Sequence, residues 1–294
     1  MKLVYLGSPD AAVKPLQALV RSGHEIVLVV SQPDRKRGRG SALVPSPVKT
    51  AALQLGLPVT DRVLDVLAAV GAGAELGVVV AFGQLIRQPL LDALPFINLH
   101  FSLLPRWRGA APVERAILAG DTETGVCLMG LEAGLDTGPV YQTVVTPILD
   151  ADSLVTLRSR LVDIGTEVLV RRLSDGFTTL GTAEPQRGES VYAAKLKPSE
   201  FRIDWARPAP EISRLVRLGS AWTTFRGKRL KVLEVEVATA GPSIRPAGSL
   251  VGLDVVADDG LVSLRRLQPE GKAPMDAQSW RNGAQPNEND VMGQ

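Results

Sequence analysis

The sequence predicts two unlike domains in one chain: an α/β domain on a parallel sheet, then a smaller antiparallel β-barrel domain. Three observations carry this. The N-terminal part alternates short apolar runs with helical patterns, as βαβ units do. Beyond about residue 200, apolar and polar residues alternate with a period of two around a hairpin turn signal. The length of 294 residues leaves room for two bodies at about 150 residues each.

The elements follow in order. LVYLG at 3–7 reads as a buried strand, SPD as a turn with Ser8 or Asp10 as helix cap, and AAVKPLQALVRSG as an amphipathic helix ending at Gly23. His24, just past that glycine, reads as a surface or capping residue. EIVLVVSQP at 25–33 is the next strand, and strand–helix–strand order implies a parallel pair with a right-handed crossover. The pattern is Rossmann-like, but the first turn is GSPD rather than G-x-G-x-x-G, which argues against nicotinamide and flavin dehydrogenases. Residues 33–47, broken by Pro33, Pro45, Pro47, Gly38 and Gly40, read as a long arginine-rich loop. Helices are expected at 48–56, 111–120 and 153–173, the last capped by Asp152 or Ser153. Strands are expected at 76–82, 96–101, 125–130 and 139–147. The polar, irregular stretch 182–202 reads as a linker, which sets the domains at 1–181 and 203–294. In the second domain KVLEVEVA at 231–238 puts Leu233, Val235 and Val237 on one face, and Asp259-Gly260 marks a hairpin. The final NGAQPNENDVMGQ reads as a frayed end.

Composition narrows the function classes. A hydrophobic fraction of 45% and a charged fraction of 22% exclude a disordered chain. One cysteine, Cys127, forbids an internal disulfide and a cysteine-based zinc site, and points to a reducing compartment. With His24 and His100 as the two histidines, no histidine metal centre is expected. The longest apolar run, at 76–86, falls short of the roughly 18 residues of a spanning helix, so no membrane association is expected. The N-terminal apolar run is also too short for a signal peptide, and the cytoplasm is the expected location. The net charge of +2 hides an asymmetry: 195–231 holds ten basic and three acidic residues. A second basic run holds Arg35, Lys36, Arg37, Arg39 and Lys49 against Asp34. Such clusters suit a polyanion, although charge alone fits a solvated surface as well.

The chemistry concentrates in INLHFSLLPRWRGAAPVERAILAG at 97–120. Asn98 and His100, two apart on a strand, share a face near its carboxyl end, where open α/β sheets bind ligands. An amide can donate to a developing oxyanion, and an imidazole can take a proton from an attacking amine. Asp136, between Gly134 and Gly138, is the candidate carboxylate to orient the imidazole. Taken one residue at a time, a structural histidine and a strand-end hydrogen bond explain His100 and Asn98 more simply. Asp-Thr-Gly at 136–138 also occurs in aspartic proteases, but those need two such carboxylates in a β context. Cys127 reads as core, and Trp107 as either a stacking platform or a packed loop aromatic.

At this point a resemblance emerges. INLHFSLLPRWRGAAPVERAILAGDTETGVCLMGLEAGLDTGPVY closely resembles the signature block of the methionyl-tRNA formyltransferases, within the folate-dependent formyltransferase superfamily. GSPDAAV at 7–13, the 32–49 basic stretch, AAKLKPSE at 193–200, RIDW at 202–205 and LQPEGKAPM at 267–275 are similar to further landmarks of that family. Phe101 stands where the family usually has glycine, and RLGSAWTTFRG lacks the usual prolines. The resemblance implies a Rossmann-like formyltransferase domain followed by an OB-like barrel. It implies an enzyme that moves the formyl group of 10-formyltetrahydrofolate onto the α-amine of methionyl-initiator tRNA. It matches Asn98, His100 and Asp136 to the catalytic triad, and Ser102, Leu103, Leu104 and Pro105 to the folate-binding loop. It matches Arg35, Lys36, Arg37, Arg39 and Lys49 to the tRNA-contacting insertion. No tightly bound cofactor and no metal are implied, the folate being a co-substrate, and a monomer is expected. Two other readings stand beside it. One is a folate-dependent formyltransferase acting on an amino-sugar nucleotide or glycinamide ribonucleotide; the other is a non-catalytic RNA-binding module.

Overall fold

The computed structural model describes residues 1–36, 42–238, 244–287 and 289–294. It divides into two compact units. One is Met1–Val113 with Glu123–Pro147 and Leu157–Ala194; the other is Glu114–Thr122 with Ile148–Thr156 and Lys195–Gln294.

The first unit grows from strand β1 (Lys2–Gly7), whose residues Leu3, Val4, Tyr5 and Leu6 have no solvent exposure. The Tyr5 hydroxyl donates to the Ala12 carbonyl at 2.6 Å, which satisfies the one polar side-chain atom in that run. Helix α1 (Val13–Arg21) has no side-chain cap; Ser8 instead accepts from the Gln32 N–H at 3.1 Å. Pro15 falls in the first helical turn, where its missing N–H has no helical bond to lose. After β2 (Glu25–Val30) come the short antiparallel pair β3 (Arg35–Lys36) and β4 (Leu43–Val44). Then follow α2 (Pro47–Gln54), capped by Ser46, β5 (Val59–Thr60), α3 (Val66–Gly71), β6 (Leu76–Val80) and α4 (Gln88–Ala93). The site-bearing stretch is β7 (Phe96–His100) and β8 (Arg106–Gly109); α5 (Pro112–Ala119) follows and belongs to the second unit from Glu114 onward. The unit closes with β9 (Glu123–Gly130), β10 (Val140–Pro147), α6 (Leu154–Arg172), α7 (Phe177–Leu180) and β11 (Val191–Ala193).

The main sheet runs β10-β9-β7-β6-β1-β2-β5. The strands from β7 to β5 are parallel; β9 and β10 are antiparallel. From β1 the chain builds to β2 on one side and to β6 on the other. The order reverses at β1/β6, and the crevice beyond those carboxyl ends is where a doubly wound sheet binds ligands. Helix α6 lies close on β7: a Cβ added at Gly165 would meet Leu99 Cδ2 at 2.7 Å. Ser153 caps α6 reciprocally with Thr156, each backbone N–H reaching the other hydroxyl at 2.9 and 3.2 Å.

The stretch expected as a linker, 182–202, is tied down over its first part. Glu184 exchanges backbone hydrogen bonds with Val140 at 2.9 and 2.8 Å, and β11 pairs in parallel with β8. Polar composition suggested a linker, but backbone pairing decides the outcome here.

His24 is also not on the surface. It is 9% exposed, and among the described residues neither ring nitrogen has a hydrogen-bond partner. Burial, then the nearby N-terminal ammonium, lowers its pKa. The unfolded chain therefore protonates at His24 before the folded one does, so stability is lost as pH falls below about 6.5. Urea melts from pH 7.5 to 5 are expected to show this slope reduced in His24→Leu; an unchanged slope would refute the assignment.

The second unit holds an antiparallel sheet. Helix α8 (Ala209–Arg217) precedes β12 (Trp222–Phe225), β13 (Lys228–Ala238), β14 (Leu250–Val251), β15 (Asp254–Val256) and β16 (Leu261–Pro269). The order is β12-β13-β16-β15-β14, and β17 (Met275–Asp276) pairs with β16 ahead of α9 (Ala277–Ala284). The hairpin at Asp259-Gly260 joins β15 to β16 as expected. The expected face of β13 is half right. Leu230 and Val232 are the buried pair, Val235 is half-buried, and Val237 is 42% exposed. The pairing with β16 is irregular between Val232 and Val235, and the inward-facing positions of β13 change from even to odd numbers across that irregularity. The core gathers Ile203, Trp205, Ile212, Val232, Leu264 and Trp280. The expected frayed end is instead held: Met292 is 2% exposed and its N–H donates to Gly248 O at 2.8 Å.

The basic window is less available than its count suggests. Arg217 donates to Asp152 O and Leu149 O, Arg214 to Leu118 O, and Arg226 and Arg207 pair with Asp290 and Glu211. Lys195, Lys197, Lys228 and Lys231 are exposed, and the Arg229 guanidinium lies 4.3 Å from the centroid of the Trp222 ring. Among the described residues no helix is long and apolar enough to cross a membrane, and no group of His, Cys, Asp and Glu is placed to hold a metal ion.

Candidate active site

Strand β7 delivers Asn98 and His100 to the carboxyl edge of the sheet. Asn98 is half-buried, between Val79 on β6 and Met129 on β9; His100, the last residue of the strand, is 5% exposed. His100 Nε2 lies 2.9 Å from the Trp107 carbonyl oxygen. A carbonyl only accepts, so Nε2 carries the hydrogen in a neutral ring. Nδ1 then faces Asp136, whose Oδ2 is 3.7 Å away. That same Oδ2 accepts from the Gly109 N–H at 2.8 Å, which fixes the carboxylate.

Both partners of the imidazole sit on left-handed backbone. Trp107 has φ 63° and Asp136 φ 51°, costly for side chains with a Cβ and found mostly where surrounding contacts hold them. The turn between β7 and β8 supplies part of that support. Ser102 is fully buried and donates to Arg106 O at 2.7 Å, so its hydroxyl is spent inside the turn. Leu104–Pro105 is a cis peptide, and Leu103 packs over Gly125, where an added Cβ would meet it at 2.5 Å. Leu103, Leu104 and Pro105 are half-buried. Phe101 is 8% exposed with ordinary negative φ, so this position does not require glycine here. The loop carrying Asp136 is tight rather than open: a Cβ on Gly138 would stand 2.0 Å from the Gly130 carbonyl oxygen.

The structure thus brings His100 and Asp136 together, with Asn98 on the same strand. The basic loop is described in part. Arg35 donates to Gln32 at 3.0 Å, Lys36 is exposed, and Lys49 pairs with Asp34 at 2.8 Å and braces the base of the loop. Arg37 and Arg39 lie outside the described residues. Sequence reasoning missed the Trp107 carbonyl, the Gly109 N–H and two side chains beside the site, Arg108 and Gln186. Backbone groups leave no mark in residue type, and Gln186 stands in EPQRGE, where no pattern singles it out.

Residues 1–173 match the formyl transferase family, and residues 195–285 match its formyl transferase C-terminal domain. Fold and site therefore define a formyl transferase. A methionyl-tRNA formyltransferase of Jannaschia sp. is 46% identical, covering 97% of each chain, and one of Thiobacillus denitrificans is 42% identical, covering 96% of each. The chain belongs to the methionyl-tRNA formyltransferase family. Among solved structures, the N-formyltransferase of Helicobacter canadensis in complex with folinic acid and dTDP-3-aminofucose shares the fold. It has TM-score 0.68 at 16% identity, over 90% of this chain and 99% of that one. HypX of Aquifex aeolicus in complex with tetrahydrofolic acid gives TM-score 0.63 at 14% identity, over 96% of this chain and 47% of that one.

Proposed function

We propose that the chain transfers the formyl group of 10-formyltetrahydrofolate to the α-amine of methionyl-initiator tRNA, in the cytoplasm and as a monomer. The observation that carries this reading is the match, along 96–97% of the chain, to relatives named for that tRNA substrate. The first unit carries the chemistry and the second adds contacts to the tRNA backbone. Leu103, Leu104 and Pro105 line the folate, on a turn held by Ser102. Arg35, Lys36, Arg37 and Arg39 reach the tRNA, with Lys49 steadying their loop. No resident cofactor or metal is called for, because both reacting groups arrive on substrates.

The residues divide the work as follows. With Nε2–H committed to the Trp107 carbonyl, Nδ1 is the nitrogen of His100 that exchanges a proton. It accepts the proton that the attacking amine loses, and the imidazolium is then stabilised by Asp136. The Asn98 amide donates to the oxyanion that develops on the formyl oxygen. When the bond from the formyl carbon to the folate nitrogen breaks, the same proton passes from His100 to that nitrogen, which closes the balance.

Purified protein with 10-formyltetrahydrofolate and methionyl-initiator tRNA is expected to yield formylmethionyl-tRNA. Formylation of an amino-sugar nucleotide or glycinamide ribonucleotide in its place would overturn the reading, as would tRNA binding without transfer. Arg39→Ala is expected to weaken use of the tRNA while sparing a small amine acceptor, with a shallower fall of binding with salt.

A further inference from the structure

Gln186 joins the two halves of the site. Its Nε2 donates to the carbonyls of Asp136 and Gly138, both at 2.8 Å. Its Oε1 accepts from Arg108 Nε and Nη2, at 3.1 and 2.7 Å. Arg108 stands between Trp107, whose carbonyl takes the His100 Nε2–H, and Gly109, whose N–H holds the Asp136 carboxylate. One side chain thus grips the backbone on the Asp136 side and the strand on the His100 side. Gln186 is itself anchored, by the Glu184–Val140 backbone pair before it and by β11 after it.

We infer that Gln186 is a positioning residue for formyl transfer: it locks the left-handed Asp136 loop onto β8 and so keeps the carboxylate on Nδ1 of His100. This rests on the roles of His100 and Asp136 proposed above. The chemistry selects the residue type. The span needs two donors on one side, for two carbonyls, and an acceptor on the other, for a guanidinium; a primary amide supplies both in one plane. Glutamate keeps the acceptor but turns a second oxygen on the carbonyls, and methionine supplies neither donors nor a comparable acceptor. A left-handed aspartate persists only where its surroundings over-determine it, and this amide is the contact that reaches its backbone oxygen.

The test is steady-state kinetics on Gln186→Met, Gln186→Glu, Asp136→Asn and the Gln186→Met/Asp136→Asn double variant, with thermal melts on each. Both Gln186 variants are expected to lower kcat by about 10–100-fold, with KM for tRNA and folate within about threefold, as for a misplaced reacting group. In the Asp136→Asn background, Gln186→Met is expected to cost less than about threefold more, because the two changes disable one device. If Gln186→Met does not fold, Gln186→Glu carries the same comparison. Undiminished kcat, a loss expressed in KM, or fully additive losses in the double variant would overturn the inference. If Asp136→Asn itself were as active as the parent, the reading of Asp136 would fall first, a distinguishable result.

Discussion

Replacing His100 by alanine is expected to lower kcat/KM for formylation by about 10²–10⁴-fold, the scale of a lost acid–base group together with lost charge stabilisation. The expectation follows from geometry. His100 is nearly sealed, with Nε2–H on the Trp107 carbonyl and Nδ1 across from a carboxylate that the Gly109 N–H pins. Asn98→Ala leaves the proton route intact and removes one oxyanion donor, so its loss belongs at the lower part of that range. The reading is checked by single-turnover rates with saturating folate, where chemistry is separated from tRNA association. A loss below about tenfold in a folded His100→Ala protein would sink the assignment of His100 as the proton carrier.

Gly138→Ala is expected to be the most damaging single-methyl change near the site. An added Cβ would lie 2.0 Å from the Gly130 carbonyl oxygen, and Gly130 is held by its own N–H bond to the Pro139 carbonyl at 2.8 Å. Neither group is the end of a flexible side chain, so the backbone of the 130–140 crossing must shift. Overpacking of this kind costs roughly 1–3 kcal/mol, and the shift also moves the carbonyl that Gln186 grips. Denaturant titration reports the stability, and turnover of the surviving folded fraction is expected to fall with it. Unchanged stability and turnover would show that the loop is looser than its contacts indicate.

Much of this was legible in the chain, for reasons that can be traced to particular residues. The runs at 3–7, 25–33, 76–82 and 96–101 are apolar on both faces, as parallel central strands must be, and each appears in the sheet at nearly those bounds. Asn98 and His100 stood out because period-two alternation puts two polar groups on one face of an otherwise apolar strand. What stayed hidden depends on long-range pairing. β8, with two arginines and a glycine, and the three-residue β11 are too short to show a pattern, and become strands through each other, about 85 residues apart. The irregular pairing of β13 with β16 between Val232 and Val235 depends on both strands, so a single-strand pattern could not place it. His24 caps α1, its N–H donating to Leu19 O at 3.2 Å, but it is buried rather than on the surface; proximity to a helix-ending glycine says nothing about what folds over it.

The arginines of α8 make the chain's modular boundaries differ from its linear ones. Arg214 and Arg217 hand their N–H groups to carbonyls of Leu118, Asp152 and Leu149, stretches that come well before the C-terminal segment. Recombination at a single crossover near residue 195 would split this body, leaving two guanidinium groups to seek acceptors in a foreign parent. Chimeras that exchange 114–122 and 148–156 along with the C-terminal segment preserve those attachments, and a gene for the complete body needs three inserts.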